Sequence, residues 1–260
     1  MNKPFYIFLF ILLFCYEAKT QTNLVPNGSF EDYTVCPNGL GEVYKSNNWF
    51  DPTNATSDYF NSCSVNGISS LPTNYYGFTY AFHGNSCMGL ATFEDSISSI
   101  NWREYIGVKL LEKTKTNTTY CFSSYIKPAG RFTGFSNNFG ILLLNDTSNI
   151  FNFYPENITY PSIANNSNII FDTLQWTKVF FEFETNTSFE YLIIGNFSED
   201  KNTLISNSNN ALGFTGAYYY IDSVSLIDCS SIVIPNVFTP NNDGVNDVWR
   251  CDFSAFKTVN

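Results

Sequence analysis

The chain has 260 residues, of which 18% are aromatic and only 14% charged, with one histidine and a net charge of −10. An acidic chain repels phosphate backbones, so nucleic acid is excluded as a partner. The single histidine removes His-rich metal sites and HExxH hydrolases, and neither GxGxxG nor GxxxxGKS/T is present to hold a nucleotide.

Residues 1–21 read as a secretory signal. Lys3 supplies the basic start, and Ile7–Tyr16 is an apolar run of ten residues, short of the roughly 20 that a membrane span needs. Cleavage is expected near Thr20 or Gln21. Removing this segment takes Cys15 with it and leaves Cys36, Cys63, Cys87, Cys121, Cys229 and Cys251. An even number in an exported chain favours disulfides, and the absence of CxxC argues against zinc. The expected pairs are Cys36–Cys63 and Cys87–Cys121. Cys229 and Cys251 are left to pair with each other or with a partner beyond the chain.

From there the body reads as all-β. Aromatic and β-branched runs recur between Asn, Gly, Ser and Pro clusters. The expected strands are Leu24–Phe30, Cys87–Phe93, Thr119–Lys127, Phe139–Leu144, Trp176–Phe183, Phe189–Gly195 and Tyr218–Leu226. In the fifth, Val179, Phe181 and Phe183 alternate onto one face. One helix is expected, Trp102–Lys113, on the spacing of Tyr105, Ile106 and Leu110. Asp51–His83 reads as a long loop, and loops of that length are usually functional or disulfide-tied. Seven strands with such turns predict a jelly-roll β-sandwich over residues 22–229. A second segment begins after it, and residues 230–260 hold too few strands to close a core.

A sugar site needs flat aromatic faces and polar partners for hydroxyls. Trp49, Tyr59, Tyr75, Tyr76, Tyr80 and Trp102 are the candidate faces. Asp51, Asp58 and Arg103, with Asn48 and Asn74, are the candidate polar groups. Most lie in the loop, where binding residues concentrate. Catalysis has less support. His83-Gly84-Asn85-Ser86 lacks the final glycine of a nucleophile elbow. Glu94, Asp95 and Glu104 could pair as in glycosidases, but so could many trios among the 23 acids. The expectation is a non-catalytic glycan-binding or adhesion protein, with a surface-filament module and a paired-carboxylate glycoside hydrolase as alternatives.

Two resemblances refine this. Ile234-Pro235-Asn236-Val237-Phe238-Thr239-Pro240-Asn241-Asn242-Asp243-Gly244-Val245-Asn246-Asp247 resembles the opening of the gliding-motility-associated, type B C-terminal sorting domain of Bacteroidetes. That likeness implies the type IX secretion machinery as a partner, a destination at or beyond the cell surface, and a sorting domain of which only the start is present. Asn23-Leu24-Val25-Pro26-Asn27-Gly28-Ser29-Phe30-Glu31 and Tyr219-Tyr220-Ile221-Asp222-Ser223-Val224-Ser225-Leu226 resemble the first and last strands of galactose-binding-like jelly rolls. Tyr59-Phe60-Asn61-Ser62-Cys63, Arg103-Glu104-Tyr105-Ile106 and Ile194-Gly195-Asn196-Phe197 are similar to segments of Bacteroidetes surface proteins that share this opening. The jelly-roll resemblance implies a structural calcium ion with Glu31 and Asp222 as ligands.

Overall fold

A computed structural model describes residues 22–94, 101–147, 163–207 and 213–230. The signal segment, the sorting-domain segment, Cys251 and Asp95 lie outside the described residues.

The chain folds as an antiparallel jelly-roll sandwich of two five-stranded sheets. Sheet I runs β1 (Trp49–Phe50), β6 (Tyr105–Lys109), β12 (Tyr191–Asn196), β9 (Phe139–Leu144) and β10 (Ala164–Asn165). Sheet II runs β11 (Thr177–Thr185), β7 (Thr118–Pro128), β14 (Ala217–Asp228), β5 (Ser86–Phe93) and β2 (Asp58–Asn61). Two short ribbons, β3 (Thr73–Asn74) with β4 (Gly77–Phe78) and β8 (Gly134–Ser136) with β13 (Ile205–Asn207), decorate the edges.

Alternation along the strands builds the core between the sheets. Phe122, Ile126, Met88 and Leu90 of sheet II meet Ile106, Val108, Ile141 and Ile194 of sheet I. β14 sends Tyr219 and Ile221 inward, then Val224 and Leu226. The inward positions change parity there because the pairing with β7 shifts between Asp222 and Ser225, with Ser223 at φ 53°. A bulge of one residue returns the strand's apolar side to the core.

Sheet II is apolar on its outer face as well. Phe60, Cys87, Ala91, Tyr218 and Tyr220 form a second cluster with Leu71, Ala129 and Phe132. A face buried on both sides explains why Ala217-Tyr218-Tyr219-Tyr220-Ile221 is a continuous run.

Several expectations need correction. Leu24–Phe30 is a turn, not a strand. It is tied to β14 by Leu24 N–H to Leu226 O (2.8 Å) and Val224 N–H to Gly28 O (2.8 Å). A Cβ on Gly28 would lie 2.1 Å from the Val224 oxygen, so only glycine fits this approach. The expected helix over Trp102–Lys113 is strand β6, paired with β12 from Tyr105 to Lys109. Ile106 and Val108 alternate into the core, and Gly107 packs under the Phe50 ring, where a Cβ would lie 2.6 Å from it. The Asp51–His83 loop contains β2, β3 and β4 and is tied just after β2 by Cys36–Cys63.

Cys36–Cys63 forms as expected, but Cys121 pairs with Cys229 and Cys87 is free and buried. Cys87 is on β5 and Cys121 on β7, with β14 between them. Two strand spacings of about 4.8 Å exceed the reach of a disulfide. Cys229 instead follows the end of β14, where its N–H donates to Thr119 O beside Cys121.

Candidate functional site: an aromatic pocket on the outer face of sheet II

At the end of sheet II where β14 begins and β5 ends, the outer face opens into a pocket of about 240 Å³. Its walls come from four places in the chain.

The first is the β3–β4 hairpin, whose two-residue tip is Tyr75-Tyr76. Asn74 Oδ1 accepts the Tyr76 N–H (2.9 Å) and the Tyr220 hydroxyl (2.7 Å). Arg131 donates from Nη1 to Tyr75 O (3.0 Å) and from its backbone N–H to Tyr76 O (3.1 Å). The tip is thus fixed from below and from the side. The second and third walls are Phe132 and Phe214, on segments bridged to one another. Phe214 N–H donates to Arg131 O (2.7 Å), and Thr133 N–H donates to Phe214 O (2.8 Å).

The fourth wall is Trp102, with Glu104 beneath it. Both are placed by Arg103, which has no exposed surface. Its guanidinium donates to Trp102 O (2.7 Å), Ser198 O (3.2 Å) and Asp200 Oδ1 (2.7 Å) and stands 5.4 Å from the Phe93 ring centre. Asp200 closes the clamp by accepting the Asn101 N–H (2.7 Å). Glu104 is locked to β5 by its own N–H to Ala91 O (2.9 Å) and by Ala91 N–H to Oε2 (2.7 Å).

The rings enclose the space at varied angles. Tyr76 lies 4.4 Å from Tyr218 at 38°, 5.4 Å from Phe132 at 52°, and 5.6 Å from Phe214 at 79°. Tyr75 stands 5.2 Å from Phe214. The hydroxyls of Tyr75 and Tyr76 and the indole N–H of Trp102 have no hydrogen-bond partner among the described residues. The Tyr218 hydroxyl is taken, donating to Asp58 Oδ2 (2.5 Å).

Three acids sit at or behind the floor. Burial raises Asp51 to about 7 against the opposing hydrogen bond from Ser57, with Asp58 adding repulsion. Burial likewise raises Asp58 to about 7, against hydrogen bonds from Tyr218 and Gly41. Glu104 is pushed well above the usual carboxylate range by burial, with Asp58, Asp51 and Glu94 adding repulsion. Desolvation penalises the charged form, and among the described residues no cation lines this floor to offset it.

The structure brings Tyr75, Tyr76 and Trp102 together in the pocket and leaves the other sequence candidates elsewhere. Trp49 and Tyr59 are core residues: Trp49 packs on Phe30 and donates to Asn27 O, and the Tyr59 hydroxyl donates to Phe30 O. Arg103 is a buried clamp, Asp58 lies behind Tyr218, and Asp51 holds the Ser57 turn. Tyr80 is 66% exposed beside Phe78, outside the pocket. Sequence reasoning missed Phe132, Phe214 and Tyr218 as walls; their only signal was aromatic character. Glu94 and Glu104, considered as a carboxylate pair, both line the pocket.

Glu31 and Asp222 meet across the His83–Ser86 turn. Glu31 Oε1 accepts the N–H groups of Asn85 (2.8 Å) and Ser86 (2.9 Å). Asp222 accepts the His83 N–H on Oδ2 (2.9 Å) and the Ser223 N–H on Oδ1 (2.5 Å). Gly84, at φ +68°, has no room for a Cβ against the Glu31 carboxyl, which would be 2.5 Å away. Glu31 Oε1 and both Asp222 oxygens serve backbone donors, and no group of three or more His, Cys, Asp or Glu able to hold a metal occurs among the described residues. This arrangement works as a turn clamp, and the two carboxylates by themselves fall short of the six or more oxygens a calcium ion takes.

Set against known proteins, the chain matches no family and no curated protein. Several solved structures align with most of its length. The xylan-binding domain from Paenibacillus barcinonensis aligns at TM-score 0.43 and 11% identity, over 83% of this chain and 99% of that one. A cleaved adhesin domain of Lys-gingipain from Porphyromonas gingivalis aligns at 0.38 and 11%, over 79% and 97%. A sugar-binding protein from Bacteroides thetaiotaomicron, so described provisionally, aligns at 0.37 and 14%, over 80% and 100%. Among the described residues no helix is long and apolar enough to cross a membrane.

Proposed function

We propose that the chain is an exported, non-catalytic glycan-binding or adhesion protein, and that the pocket between Tyr75, Tyr76, Trp102 and Phe214 seats one sugar unit. The observation that carries this reading is a concave aromatic box whose polar ends have no hydrogen-bond partner among the described residues. Ring faces stack on the C–H surface of a pyranose while hydroxyls and an indole N–H meet its oxygens. At about 240 Å³ the pocket is smaller than the roughly 300–1,000 Å³ of sites for larger ligands, which suits a single ring rather than a chain lying flat. A concave, half-open aromatic box supports glycan binding over a spacer module, for which a flat apolar patch suffices. Two disulfides support maturation in an oxidising compartment, in line with the signal segment and with type IX sorting through residues 234–247.

A glycan array identifies the ligand, and Trp102→Ala then weakens its binding by about tenfold or more. Trp102→Ala binding as tightly as the parent chain overturns the site. A hydrolase is the second reading, because Glu94 and Glu104 share the pocket. Release of new reducing ends from the array ligand, lost in Glu104→Gln, would establish it in place of binding alone.

A further inference from the structure

We infer that the pocket recognises a protonated amino group and that, on the glycan reading above, its ligand is an amino sugar bearing a free ammonium. The lining is electron-rich throughout. Tyr75, Tyr76, Trp102 and Phe214 present ring faces, Glu94 and Glu104 present carboxyl oxygens, and among the described residues the lining includes no lysine, arginine, histidine or side-chain amide. A neutral or acidic sugar is best met by amide donors to its hydroxyls or a cation for its carboxylate, and here the donors are the Tyr75 and Tyr76 phenols, the Trp102 indole and the Thr215 hydroxyl.

Aromatic faces set around a small volume attract an organic cation through their quadrupoles, most strongly when water is excluded. The nearby cations are already committed. Arg103 is paired with Asp200 at 2.7 Å behind the Phe93 ring, and Arg131 donates to the Tyr75 carbonyl from outside the hairpin tip. Glu104 uses Oε2 for the Ala91 N–H, and no hydrogen bond engages Oε1 among the described residues. Burial, with added repulsion from Asp58, Asp51 and Glu94, favours the protonated form of Glu104. An ammonium seated above it supplies the countercharge the floor lacks and returns Glu104 to its carboxylate form.

Calorimetric titration of the full chain with three oligosaccharide sets of equal length tests this. The sets are glucosamine oligomers, their N-acetylated counterparts and neutral glucose oligomers, with choline chloride as a competitor. The expected result is binding of the glucosamine oligomer about tenfold or more tighter than either other set, competed by choline, with the preference reduced in Glu104→Gln. Glu94→Gln reads the same preference should Glu104→Gln fail to fold. Equal binding of all three sets overturns the ammonium assignment and leaves glycan binding standing. Binding of choline with none of the sugars overturns the amino sugar and the glycan reading together. Binding of neither kind also overturns both.

Discussion

Buried rings and pocket rings differ in what happens to their polar ends. In the interior, Tyr59 donates to Phe30 O at 3.0 Å, Tyr105 to Asn196 O at 3.1 Å, Tyr219 to Ile170 O at 2.8 Å and Trp49 to Asn27 O at 3.0 Å. Each hydroxyl or indole N–H finds a backbone carbonyl, because an unpaired polar group in a dry interior costs about 1–3 kcal/mol. Around the pocket, Tyr75, Tyr76 and Trp102 are held by their backbones instead, and their polar ends have no protein partner among the described residues. Burial alone would not have separated the two sets, since aromatic residues are abundant everywhere in this chain. The destination of the polar atom separates structure from recognition.

Substitutions can break that contrast. Tyr59→Ala removes a wholly buried core ring and should cost about 3–5 kcal/mol by chemical denaturation. A cost no greater than that of Tyr75→Ala would abolish the distinction. Arg103→Met should come next. It strips Trp102 O, Ser198 O and Asp200 of their donor, so about 2–4 kcal/mol of stability and most ligand binding should go together. Normal binding in a destabilised Arg103→Met chain would show that Trp102 holds its place without the clamp.

Smaller effects concern protons and ions. Asp51 and Asp58 titrate near 7 when folded against an ordinary 3.8. The folded chain therefore holds more protons than the unfolded one between about pH 4 and 7. Stability is fully present at the acidic end of that window and lost as pH rises through about 7. The melting temperature should fall by about 4 °C or more between pH 5 and pH 8. Asp51→Asn, which keeps an acceptor for the Ser57 N–H, should flatten part of that slope, and a flat profile in the parent chain refutes the assignment. Millimolar calcium should leave the melting temperature unchanged, and a rise of several degrees would restore an ion at Glu31 and Asp222.

Much of the fold was legible because sheet strands advertise themselves by composition and period. Six of the seven expected strands stand close to their expected limits, Phe139–Leu144 without change. The seventh, Leu24–Phe30, has strand composition but is bent by positive φ at Asn27 and Phe30. The expected helix failed because Tyr105, Ile106 and Leu110 fit either period over so short a window. The β-branched Ile106 and Val108 on either side of Gly107 were the better guide. The pocket was half legible. Tyr75, Tyr76 and Trp102 were read as ligand faces, but Phe132 and Phe214 come near them only through the pairing of remote segments. Arg103 stood among the polar candidates for sugar hydroxyls, whereas the fold turns its guanidinium inward onto carbonyls and Asp200.

β14 has one more consequence, a mechanical one. It begins beside the pocket, through Tyr218, and ends at the Cys121–Cys229 bridge, on the order of 35 Å away at about 3.3 Å per residue. Tension between a captured ligand and the chain beyond Cys229 therefore runs along this strand. Its hydrogen bonds to β5 and β7 lie across that direction and bear the load side by side, in shear, rather than parting one after another. At the far end the covalent bridge hands the force to β7 before β14 can peel away.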